Sequence, residues 1–95
     1  MSPILTKIER RDIEAGDHVI FETVVSGIPA PTVLWFLGHT LVKNTGRVTV
    51  RRHENACTFK ISRCSRDDSG MVVARAHNEA GFHSVYATLK VNGTE

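Results

Sequence analysis

Apolar residues recur at every second position along most of the chain. In HVIFETVV (18–25) Val19, Phe21, Thr23 and Val25 share one face, and in TVLWF (32–36) Val33 and Trp35 do. RVTV (47–50) offers Val48 and Val50, and TFKI (58–61) offers Phe59 and Ile61. MVVARA (71–76) aligns Val72, Ala74 and Ala76, while VYATLKV (85–91) aligns Val85, Ala87, Leu89 and Val91. Alternation of this kind predicts strands with one buried and one wet face. Between the runs stand EAGD, SGIPAP, LGHT, NTG, HEN and NEAG, whose Gly, Pro, Asn and Asp supply turn geometry. Six or more short strands at roughly ten-residue spacing predict an all-β antiparallel sandwich or barrel.

The one helical signal is SRDD, residues 65–68. Ser65 can cap a single turn, with Asp68 reaching back three residues later as in a capping box. The same residues resemble a phosphorylation site ahead of acids, and capping is the simpler reading. No repeat, low-complexity run or internal linker interrupts the pattern.

Composition narrows the class. Ninety-five residues suit one domain, 1–95, with no room for a second core. Shares of 41% apolar and 23% charged residues argue against disorder and coiled coil. No window approaches 18 uninterrupted apolar residues, so no membrane span is expected. No signal-peptide pattern opens the chain, and its ends lie near the expected domain edges, which suits a piece excised from a multidomain protein. A net charge of +2 and two short basic pairs, Arg10-Arg11 and Arg51-Arg52, fall short of a nucleic-acid stripe. Solvated strand ends are the plainer reading of those pairs.

Two cysteines remain, Cys57 and Cys64. A strand over 57–61 rises about 3.3 Å per residue, which carries them beyond the roughly 7 Å that a disulfide spans. Both are expected to be small buried hydrophobes, and the lack of a disulfide framework favours a reducing compartment. No nucleophile–base set suggests an enzyme. Cys57 shares the register of Phe59 and Ile61, which suits inert packing better than a Cys–His pair. His18, His39, His53, His77 and His83 are scattered. His77 and His83 would lie on neighbouring strands, but their parities differ, so no metal site is expected. No Gly-rich phosphate loop appears, and no cofactor is expected. Asn92-Gly93-Thr94 fits the glycosylation pattern, a match frequent by chance.

The ordered set of motifs resembles an immunoglobulin domain of the intermediate set, the kind strung along titin, obscurin and related giant muscle proteins. The resemblance covers nearly the whole chain. It runs from Pro3 and the EAGD turn through VSGIPAPTVLWF, where Gly27, Pro29 and Pro31 shape a loop before the core Trp35, to RVTV, DDSG, AHNEAG and ATLKV. It implies a two-sheet sandwich lacking the inter-sheet disulfide: Thr23 and Ala74 stand at the cystine positions, and Val72 stands where a tyrosine is usual. It implies an ion pair between Arg47 and Asp68, tying the start of one strand to the DDSG turn. It makes LGHT about one residue short, with His39 where glycine is common.

A physical reason for the lost cystine follows. A bridge closing about 50 residues is worth roughly 4 kcal/mol in the chain-entropy model, but only where it stays oxidised. In a reducing cytosol the thiols confer no such stability. Thr23 must then find a backbone acceptor, at a cost of about 1–3 kcal/mol if it does not, and Val72 forgoes the tyrosine's hydrogen bond.

The resemblance implies a non-catalytic spacer and docking module of a cytoplasmic sarcomeric or cytoskeletal protein, with muscle proteins and neighbouring domains as partners. The alternatives are an extracellular adhesion or receptor domain of the same fold and an accessory domain of a giant muscle kinase. The strand bearing His83, Ser84, Tyr86 and Thr88 lies near a sheet edge with an outward aromatic, and is the expected protein interface.

Overall fold

Where the alternation is cleanest, burial follows it residue for residue. Strand β3 (Val19–Ser26) buries Val19, Phe21, Thr23 and Val25 and exposes the residues between them. The computed structural model describes residues 1–93. Its other strands are β1 (Ile4–Leu5), β2 (Arg11–Glu14), β4 (Thr32–Leu37), β5 (Thr40–Leu41), β6 (Val48–His53), β7 (Ala56–Ile61), β8 (Gly70–Asn78) and β9 (Gly81–Asn92). One sheet has the order β1-β3-β7-β6 and the other β2-β9-β8-β4-β5. All pairings are antiparallel except β2 with β9, which run parallel. That exception arises because the chain crosses between sheets after β1 and comes to lie along β9 in the second.

Expected and observed strands differ in places with local causes. Arg47 stays outside β6, because the Thr45 hydroxyl accepts from the N–H groups of both Arg47 and Val48 at 3.2 Å. The strand instead continues through His53, which pairs with Ala56 across the two-residue turn Glu54–Asn55. β1, β2 and β5 gave no alternation signal, being two to four residues long. The LGHT connection resolves as a two-residue turn, Leu37 pairing with Thr40. Gly38 sits there at φ 63, the first central position at which a II′ hairpin requires glycine.

The two sheets meet through aromatic rings. Trp35 of β4 and Phe59 of β7 stand 5.5 Å apart at 50°, and Phe59 stacks on Phe21 of β3 at 5.9 Å. Pairs of this geometry add about 0.5–1.5 kcal/mol each beyond area burial. Ala74 pairs with Trp35 across the β4–β8 ladder, and its small side chain leaves room beside the indole. Val72 and Ala74 are both fully enclosed. Cys57 and Cys64 are free and buried, and burial pushes both thiols above their ordinary range, where they are poor nucleophiles.

Phe59 touches both other rings, so Phe59→Ala is expected to lower the unfolding free energy by about 3–5 kcal/mol in a urea titration. A loss below about 1 kcal/mol would mean that the core closes over the gap and that the ring chain is not its centre.

Candidate docking edge

β9 is long, and its partners are unevenly shared. Gly81–Leu89 pairs with β8, but on the other side β2 reaches only Leu89 to Asn92. Among the described residues no strand pairs with that side of Gly81–Thr88. An unpaired strand side offers main-chain N–H and C=O groups to an incoming chain. Tyr86 stands outward here at 61% exposure, with Thr88 exposed and Ser84 half-buried on the same face.

His83 does not join them, which corrects its place in the expected interface. Its parity is that of Val85, Ala87 and Leu89, so its ring turns toward the inner side. There the Leu5 N–H donates to His83 Nδ1 at 2.9 Å. Accepting at Nδ1 requires the lone pair on that nitrogen, and so the proton on Nε2 of the neutral ring. The bond links β1 of one sheet to β9 of the other. His77 is exposed on the opposite face of the hairpin. Among the described residues no group of three or more His, Cys, Asp or Glu gathers as a metal site.

Two braces hold the sandwich around this edge. The first centres on Thr23. The buried Thr23 hydroxyl donates to the Thr6 carbonyl at 2.7 Å and lies 3.2 Å from the Thr6 hydroxyl, which accepts from the Val24 N–H at 2.9 Å. Thr23 thus has its backbone acceptor, and the segment after β1 is fastened to β3. Sequence reasoning missed Thr6 because the stretch around it shows no alternation.

The second brace joins Arg47 and Asp68, 3.2 Å apart. Arg47 also donates to the carbonyls of Ser62 and Arg63. Asp68 accepts from the Ser65 N–H at 2.8 Å, closing the 3₁₀ turn Arg66–Asp68. Burial pushes the Asp68 carboxyl up, but the hydrogen bonds from Arg47 and Ser65 outweigh it and hold the group below its ordinary 3.8. The Asp68 hydrogen bond, aided by its charge, raises Arg47 further above its already high value.

Asn92 donates its side-chain amide to Asp12 at 2.6 Å and to the Ile13 carbonyl at 3.3 Å. Thr94, the third residue of the glycosylation pattern, lies outside the described residues. A cleft of about 480 Å³ opens between the β5–β6 connection and the 3₁₀ turn, floored by Val48, Phe59 and Ile61. Its lining holds no histidine or cysteine. No helix among the described residues is long and apolar enough to cross a membrane.

Two facing sheets of four and five strands around a tryptophan, with this strand order, define an immunoglobulin-like sandwich. The Immunoglobulin I-set domain family matches residues 2–91, and the chain belongs to that family. It is 38% identical over 83% of its length to the muscle M-line assembly protein unc-89 of Caenorhabditis elegans. It is 30% identical over its whole length to the vascular endothelial growth factor receptor 2 of Danio rerio. It spans only 1% of the first protein and 7% of the second. Among solved structures it resembles titin domain M4, with a TM-score of 0.91, 26% identity and 96% of each chain covered.

Two predictions follow from the bonds described. His83→Phe keeps the ring volume but leaves the part-buried Leu5 N–H without its acceptor. It is expected to cost about 1–3 kcal/mol and to speed hydrogen exchange at Leu5 above its β3 neighbours. Unchanged exchange at Leu5 would show that water replaces the histidine freely.

Because the folded state lowers the pKa of Asp68, its contribution to stability is whole above pH 3.8 and is lost as pH falls through the lower folded value. Thermal melts between about pH 5 and 2 should therefore fall more steeply for the native chain than for Asp68→Asn. Parallel curves would exclude Asp68 as a contributor to acid unfolding.

Proposed function

We propose that this chain is a non-catalytic spacer and docking module of a multidomain sarcomeric or cytoskeletal protein, working in the cytoplasm. The similarity to a muscle M-line assembly protein carries this reading. Its core suits a reducing compartment, because the ring chain through Phe59 joins the two sheets where an oxidised cystine would otherwise brace them. The proposed partners are muscle or cytoskeletal proteins and the neighbouring domains of its own chain. The open side of β9, with Tyr86 outward, is the proposed docking edge, and the residues proposed to support the structure are Trp35, Val72, Arg47 and Asp68.

A second reading is favoured by the likeness to a growth-factor receptor: an extracellular domain of the same fold. A secretory signal or a membrane span in the parent reading frame would decide for it. The test of the first reading is direct. The chain fused to a fluorescent protein and expressed in striated muscle cells is expected to gather in periodic sarcomeric bands. A uniformly diffuse signal would refute the docking role.

A further inference from the structure

β4 and β8 break the alternation that governs the other long strands. Val33 to Leu37 is an unbroken apolar run, and so is Met71 to Ala74. Continuous runs of this kind belong to strands covered on both faces. Here one face meets the core, and among the described residues no strand or helix packs over the other, where Leu34, Phe36 and Val73 are half-buried. On that outer face the ladders place Leu41 beside Phe36, Phe36 beside Val73, and Val73 beside Tyr86. The result is an apolar row crossing four strands and ending at the unpaired side of β9. Leu41 is 40% and Tyr86 61% exposed, and Met71 and Phe82 are exposed on the same face. Contiguous apolar surface of this sort marks interaction sites, unlike apolar residues scattered singly.

The row has a charged neighbour ready for use. Arg75 pairs with Leu34 on one side and Ser84 on the other, one step along the ladder from Val73 and Tyr86. Its guanidinium carbon lies 4.4 Å from the Phe82 ring centroid. Stacking occupies the flat face of the guanidinium and leaves its edge, with the N–H donors, without an acceptor among the described residues. A carboxylate is the group that fits such a donor edge bidentately. None of the outward residues of β4, β8 or the Gly81–Thr88 part of β9 is acidic. A second copy laid row on row would therefore bring no carboxylate from these strands to Arg75, because the exposed acids of the sheet, Asp12 and Glu14, lie on β2 beside Lys90 and Asn92, away from the row.

We propose that this outer face docks a protein segment whose apolar side chains lie along the Phe36–Val73–Tyr86 row and whose acidic residue pairs with Arg75. The inference rests on the docking reading and names the chemistry of the partner.

The test is selection of random twelve-residue peptides on the native chain, followed by affinity measurement on exposed-site variants. Selected peptides are expected to carry at least two large apolar residues and an Asp or Glu. Tyr86→Lys and Arg75→Glu should each weaken binding at least tenfold with the melting temperature unchanged. Changing the peptide's acid to Lys should restore binding to the Arg75→Glu chain, an exchange that a purely structural effect could not produce. Peptides lacking an acid, affinity that survives both substitutions, or no peptide above background would overturn the proposal. So would a concentration-dependent dimer abolished by Tyr86→Lys. Sarcomeric banding that persists while peptide selection fails would sink this surface alone, and loss of banding with peptide binding intact would sink the sarcomeric reading alone.

Discussion

The contact on which the structure depends is the ring chain from Trp35 through Phe59 to Phe21, which crosses the gap between the sheets. Each sheet has a face that is stable only when covered by the other, and no disulfide joins them. The covering must therefore come from packing, which is short-ranged and sensitive to shape. Phe59 sits at the middle of that chain and is fully buried. Ala74 matters for the opposite reason, since a larger residue beside Trp35 would crowd the indole.

Packing alone leaves the ends of the sandwich free to fray, and polar groups hold them. Thr23 and Thr6 bind the segment after β1 to β3, and Leu5 and His83 bind β1 to β9. Arg47, Asp68 and Ser65 tie the approach to β6 to the 3₁₀ turn. These bonds are few and mostly part-buried, where a lost partner costs more than the bond itself contributes. Their placement explains how a strand as short as β1 stays docked: it is fastened by its neighbours' side chains as well as by its own two-residue ladder.

Much of this was legible in the sequence. The inward residues of β3, β7 and β8 could be named from alternation, because each strand is long enough to show its period and has one wet face. The I-set pattern singled out Thr23, Ala74, Arg47 and Asp68, of which Arg47 and Asp68 meet as an ion pair. What stayed hidden has physical causes. β1 and β2 are too short to show a period, and they exist as strands because β3 and β9 offer them partners. The parallel course of β2 is set by tertiary path, of which local sequence holds no trace. The expected interface takes in His83 with the rest of its strand, although its parity is that of the inward residues, and the Leu5 N–H that holds it is 78 residues away.

Departures from a binary pattern sort themselves by direction. A polar residue at an inward position, such as Thr23 or His83, has become a brace: enclosure makes an unpaired polar group costly, so a partner must be there. Apolar residues at outward positions, such as Phe36, Val73 and Tyr86, have the reverse status. Phe36 and Val73 are only half-buried and Tyr86 is exposed, and water contact with such side chains costs the domain solubility. Folding stability alone gives no reason for Leu41 and Tyr86 to extend the row to exposed positions, beside an arginine with its donor edge open. Local rules that are broken without a return to stability point to function. By that reasoning the outer face of the five-stranded sheet, continuous with the unpaired side of β9, is the part of this domain shaped by something outside it.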